Sequence, residues 1–133
     1  RALSANTALQ SCTLPSATSI VWENYGSIWE GCSVLTEINL PSITSVGWAG
    51  FASLNTVLSN IYLPKATSIG QYGFWTLPGL KYVDLSLCTT LGGSTFGNAT
   101  GRTITIKIPH ALESHADIVS LKANNTVTVI YSD

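Results

Sequence analysis

The sequence predicts a β-rich solenoid: a right-handed coil with a parallel sheet along one face, little helix, and a short C-terminal helix-strand cap. Three observations carry this expectation. The phrase Leu63-Pro64-Lys65-Ala66-Thr67-Ser68-Ile69-Gly70 recurs with variations as Leu14-Pro15-Ser16-Ala17-Thr18-Ser19-Ile20, as Leu40-Pro41-Ser42-Ile43-Thr44-Ser45-Val46-Gly47 and as Leu85-Ser86-Leu87-Cys88-Thr89-Thr90-Leu91-Gly92. Ahead of each phrase an apolar residue stands five positions before the Leu and another two before it. Between them the apolar and polar residues alternate, as in Ile61-Tyr62-Leu63, which sends one set inward and the other outward from a strand. A chain that restates itself at a fixed interval is read first as stacked units, each too small to bury its own apolar face.

The interval is measured from Leu9, Leu35, Leu58, Leu80 and Thr103, with spacings of 26, 23, 22 and 23 residues. An L-x-x-L-x-L core repeated every 20 to 29 residues is the leucine-rich-repeat pattern. The Pro after each Leu fixes φ and removes a backbone donor, so each strand ends there and the chain turns. A second short extended piece follows, Ala66 to Ile69 in the best copy, with Ile inward and Thr outward. Gly47, Gly70 and Gly92 come next and suit a turn of unusual backbone angles. Phe51, Phe74 and Phe96 then recur, with Trp29 as their counterpart in the first coil, and stacked coils would line these rings into an internal column.

The last part of the chain changes character. Ser86 replaces Pro, Gly92-Gly93 loosens the turn, and residues 97–101 form a polar loop. Beyond Pro109, residues 110–123 read as one amphipathic helix with Ala111, Leu112, Ile118, Val119 and Leu121 on its apolar face. Residues 126–131 read as a closing strand. The expected organisation is therefore a single domain over residues 1–133: a partial first repeat at 1–13, about four repeats at 14–107, and a C-terminal cap at 108–133 that shields the last coil from water.

Composition limits the function. Only 10% of the 133 residues are charged and the formal net charge is −1, so no electrostatic footprint for nucleic acid or anionic lipid exists. No apolar run reaches the roughly 18 residues of a membrane span. The chain starts at Arg1 and contains no Met, which reads as a piece of a longer polypeptide. Cys12, Cys32 and Cys88 match neither a metal spacing nor an even disulfide framework. Cys12 and Cys88 stand where other copies have Ile, Val or Ala, as small buried hydrophobes do.

The repeated Leu-Pro-x-[Ala/Ile]-Thr-Ser-Ile-Gly run, the aromatic after it, and the stretch Gly31-Cys32-Ser33-Val34-Leu35-Thr36-Glu37-Ile38-Asn39-Leu40-Pro41 resemble the BspA-like class of bacterial leucine-rich repeats over about residues 9–109. The resemblance implies a secreted or cell-surface protein that adheres to host or bacterial surface proteins. That family carries no shared catalytic residues, so it implies no active site and no cofactor.

Candidate binding residues follow from the strand pattern. The outward positions are Ser11 and Thr13, Glu37 and Asn39, Asn60 and Tyr62, Tyr82 and Asp84, and Thr105 and Lys107. The proposed protein-binding set is Glu37, Asn39, Asn60, Tyr62, Tyr82, Asp84 and Lys107, because aromatic anchors ringed by polar groups favour protein recognition. The same side chains also support the sheet as cross-strand neighbours. Trp22 and Trp48 fall at similar places after the second extended piece and carry an alternative reading, a carbohydrate site. A third reading is a spacer within a larger surface protein.

Catalysis and metal binding are not expected. The sequence lacks G-x-S-x-G, H-E-x-x-H, the P-loop and C-x-x-C. Glu37 and Asp84 could approach to roughly 10 Å, a distance that does not exclude a glycosidase pair, but on a shallow face instead of a cleft. His110, Glu113, His115 and Asp117 are the densest group of metal-competent side chains, yet His110 and His115 are five apart and share a helix face poorly.

Overall fold

Alternation within three-residue strands builds the main sheet. A computed structural model of the chain describes residues 5–20, 29 and 31–133. Strands β1 (Ser11–Thr13), β3 (Glu37–Asn39), β5 (Asn60–Tyr62), β7 (Tyr82–Asp84), β9 (Thr103–Ile108) and β10 (Thr126–Tyr131) lie side by side in that order. Every pair is parallel, and the register places Cys12, Ile38, Ile61, Val83, Ile106 and Val129 in one row. The first five are buried and Val129 packs on the same core.

The second extended piece forms a sheet of its own. Strands β2 (Ser19–Ile20), β4 (Ser45–Val46), β6 (Ser68–Ile69) and β8 (Thr90–Leu91) pair in parallel, with Ile20, Val46, Ile69 and Leu91 inward. The structure explains the repeated Thr just before these strands. Thr44, Thr67 and Thr89 each donate both backbone N–H and Oγ1 to the carbonyl of the Thr one coil earlier, at 2.9 and 3.2 Å. A hydroxyl at this position therefore doubles each inter-coil link with a neutral group, as the charge-poor composition requires.

The glycines after this piece act differently from expectation. Gly47, Gly70 and Gly92 are not in the left-handed region. A Cβ on Gly70 would sit 2.6 Å from the Gly47 carbonyl carbon, and one on Gly92 would sit 2.4 Å from the Gln71 nitrogen. Gly70 and Gly92 are glycine because neighbouring coils approach backbone to backbone there, with no room for a side chain. Left-handed residues stand two positions later, at Ala49, Tyr72 and Ser94, with φ of 53°, 61° and 46°, and also at Ser53, Thr76, Gly93 and Gly97.

From there the coils that begin at Gly47, Gly70 and Gly92 run through an arc of tight turns. Alternate N–H groups cross to the next coil, from Ala49 to Gln71, Phe51 to Gly73 and Ser53 to Trp75, at 2.8 to 2.9 Å. Those of Gly50 and Ala52 close local turns onto Gly47 and Ala49. The arc thus has its backbone groups paired without being a strand. Inside it the expected column forms: Trp29, Phe51, Phe74 and Phe96 stack with centroids 5.5 to 5.6 Å apart and planes within 28°. Asn55 fastens the return stretch, donating to the Cys32 and Leu35 carbonyls and accepting from the Val57 and Leu58 N–H groups. Cys12 and Cys88 are free, buried thiols, and Cys32 is buried as well.

The C-terminal unit covers the last coil, but not as one helix. A 3-10 turn at His110–Leu112 is followed by α1 (Ala116–Asn124), with His115 as its N-cap. Leu112, Ile118 and Leu121 join the core. Ala111 and Val119, expected on the same apolar face, point outward, Val119 being 53% exposed. The chain breaks at 113–115, so Ala111 is not on α1. Val119 is one residue from Ile118 and so about 100° round from the narrow stripe that Ile118 and Leu121 form. Strand β10 pairs with β9 over all six residues and ends the sheet.

Candidate functional site

The outward side chains of the main sheet form two rows. One runs Ser11, Glu37, Asn60, Tyr82, Thr105, Thr128, and the other Thr13, Asn39, Tyr62, Asp84, Lys107, Ile130. Tyr62 and Tyr82 meet diagonally across β5 and β7, with ring centroids 5.5 Å apart and planes at 42°. Both are half-buried. Asn60 lies directly beside Tyr82, and Asp84 directly beside Tyr62. Asp84 has a local task too: its Oδ1 accepts from the Ser86 N–H and hydroxyl, anchoring the turn of the coil that lacks Pro. Burial, then the Asp84 carboxylate and the Tyr62 phenol, push the Tyr82 hydroxyl above the usual tyrosine range. The patch is thus a joined aromatic pair between an amide and an acid, held on hydrogen-bonded backbone.

Glu37 and Asp84 fall in different rows two strands apart, which at the strand spacing and rise puts their backbones roughly 12 Å from each other. They face out from a sheet surface, where nothing encloses a water and a sugar between them.

The four metal-competent residues near the C-terminus have separate tasks. His110 stacks on Tyr131 at 3.7 Å, and its backbone N–H and Nδ1 both reach Asp133 Oδ1 at 2.9 Å. Glu113 pairs with Lys122 at 3.3 Å, and the influence of the Tyr131 hydroxyl, then of Lys122, holds its carboxyl below the usual range. His115 Nδ1 accepts from the Asp117 N–H, and Asp117 accepts from the Thr95 N–H and hydroxyl. Among the described residues no group of three or more His, Cys, Asp or Glu could hold a metal ion. Nor is any helix among them long and apolar enough to cross a membrane.

A second aromatic group lies on the outside of the arc. Trp48 and Tyr72 meet with centroids 6.0 Å apart and planes at 87°, and Tyr72 and Trp75 at 6.1 Å and 63°. Trp48 is 53% exposed and Trp75 41%. With Ala49, Ala52 and Ser53 these rings line a cleft of about 350 Å³.

The family model for the BspA type leucine-rich repeat region matches residues 2–118, in six copies. The chain belongs to this family. The match ends within α1, so β10 lies beyond it. No curated protein and no solved structure matches the chain.

For this BspA-type repeat region, the structure gathers Glu37, Asn39, Asn60, Tyr62, Tyr82, Asp84 and Lys107 on one face. Of the two tryptophans assigned to the carbohydrate reading, Trp22 lies outside the described residues, and Trp48 stands at the cleft. The sequence reading missed Tyr72 and Trp75. The available signal was a size exchange between equivalent positions: coil 47–53 has Trp, Ala and Ala where coil 70–76 has Gln71, Tyr72 and Trp75. The big rings of one coil thereby stand over the small residues of the other.

Proposed function

We propose that this chain is a non-catalytic protein-interaction module of a secreted or surface-anchored bacterial protein, engaging a host or bacterial surface protein through the main sheet. One observation carries the reading: Tyr62 and Tyr82 form a contiguous, half-exposed pair in the middle of the outward sheet face, beside Asn60 and Asp84. Tyr is enriched in interfaces because it adds area at low entropic cost, and the neighbouring Asn and Asp supply adaptable hydrogen bonds. Membership of a repeat family that builds extended surfaces supports it further.

The test is binding of the chain and its Tyr62→Ala/Tyr82→Ala double variant to a panel of purified extracellular-matrix and bacterial surface proteins by surface plasmon resonance. Loss of the pair should weaken a genuine interaction by about tenfold or more, as removal of an aromatic hot spot does. Equal affinity of the two proteins for every bound partner would remove this face from consideration.

A further inference from the structure

We infer that the corner between Trp48, Tyr72 and Trp75 binds a quaternary ammonium group, the trimethylammonium head of a choline-type ligand. This site is separate from the tyrosine pair on the sheet, and neither reading depends on the other. Three rings from two coils border one volume, and they do so at steep angles of 87° and 63°. Rings set this way offer no common plane for a flat ligand. They suit a compact, rounded group that touches several walls at once. An aromatic face is negative at its centre and attracts a cation, most strongly for Trp, and aromatic enclosures are how proteins hold quaternary ammonium groups.

The chemistry of the lining points the same way. Among the described residues the lining carries no charge: it offers neither a cation that would repel the ligand nor a carboxylate that would select an ordinary hydrogen-bonding amine. Apart from backbone and indole N–H groups, the polar side-chain groups of the described lining are the Ser53 hydroxyl and the Tyr72 phenol. A sugar would leave most of its hydroxyls without partners there, at a cost that a trimethylammonium group, with no donor to satisfy, does not incur.

The cleft is also built to persist. Ala49 and Ser53 are tied to the coil of Tyr72 and Trp75 by 2.8 Å backbone hydrogen bonds. The Trp75 indole rests on Gly97, where any Cβ would fall 1.7 Å from its Cδ1. Ala49 and Ala52 occupy the places equivalent to Tyr72 and Trp75, and their small side chains leave the floor open.

The test uses tryptophan fluorescence and calorimetry on the full chain with choline chloride, its uncharged isostere 3,3-dimethylbutan-1-ol, and N-acetylglucosamine, at constant ionic strength. Choline should bind about tenfold or more tightly than the isostere, the margin expected of a partly desolvated cation–π site. Trp48→Ala, which removes an exposed ring, and Ala52→Phe, which fills the floor, should each abolish the preference with the melting curve retained. Vesicles supply the source: sedimentation with phosphatidylcholine but not phosphatidylglycerol assigns the ligand to a lipid head group. Choline binding without vesicle binding assigns it to a soluble choline. Equal affinity for choline and isostere, binding of the sugar alone, or no binding of choline would each overturn the proposal. The isostere comparison needs no variant and so holds even if both substitutions disturb folding.

Discussion

Trp29, Phe51, Phe74 and Phe96 run down the inside of the arc with their planes nearly parallel, while Trp48, Tyr72 and Trp75 stand just outside the same backbone at steep angles. The difference lies in repeat phase. The three Phe rings occupy one position of successive coils, so translation along the solenoid brings them into a stack. The outer rings come from three different positions of two coils, so no translation relates them and they form a corner. Strict repetition here makes core, and departure from it makes a shaped surface.

The largest expected effect sits on the inner column. Phe74→Ala should cost about 3–5 kcal/mol in chemical denaturation, because it empties a fully enclosed site between two other rings. Leu63→Ala, also fully buried, belongs in the range of about 2–5 kcal/mol. If either variant melts like the parent, the side chain does not face the core. Next comes Gly70→Ala, which forces a Cβ into the neighbouring backbone and should cost about 1–3 kcal/mol. A neutral result would mean that the coils separate easily, and the outer corner would lose its rigid base.

On the outside the expected costs are small. Replacing Tyr62 or Tyr82 with Ala should change stability by only about 0.2–1 kcal/mol, the worth of a cross-strand pair. A much larger loss would turn the pair from a recognition surface into a structural prop. The smallest effect concerns pH at the C-terminal clasp. Hydrogen bonds from Tyr131 and Lys122 lower the Glu113 pKa, and those from the His110 N–H and ring lower that of Asp133. Groups with depressed folded-state pKa values stabilise above their unfolded values and lose that contribution as pH falls through the folded ones. The protection factors of the Tyr131 and Ser132 amides, taken against the intrinsic exchange rate at each pH, should therefore fall below about pH 4 while the central coils stay protected. A uniform change in protection across the chain would deny the clasp a separate role.

Much of the fold was legible because the residues that specify it act locally or through a fixed period. Alternation in Ile38-Asn39-Leu40 or Ile61-Tyr62-Leu63 sets which side chains go in, and the repeat sets which strands become neighbours. The outward rows followed from the same arithmetic, which is why Tyr62 and Tyr82 could be placed side by side in advance. Gly70 and Gly92 were harder to interpret. Their need arises from the distance between coils, and a single coil read alone suggests a backbone-angle requirement instead.

The sequence by itself determined the parallel strands, the inward aliphatics and the column of Phe rings, since each repeats at one phase and a stacked chain has only one place to put it. Tertiary structure alone decided the angles at which Trp48, Tyr72 and Trp75 meet and the volume they border. Those depend on how the residues of one coil lean over the small residues of the next, a contact between unlike positions that no period encodes. It likewise decided that Ala111 and Val119 face water, because the break before α1 and the narrow contact with the last coil set which side of the C-terminal helix is covered.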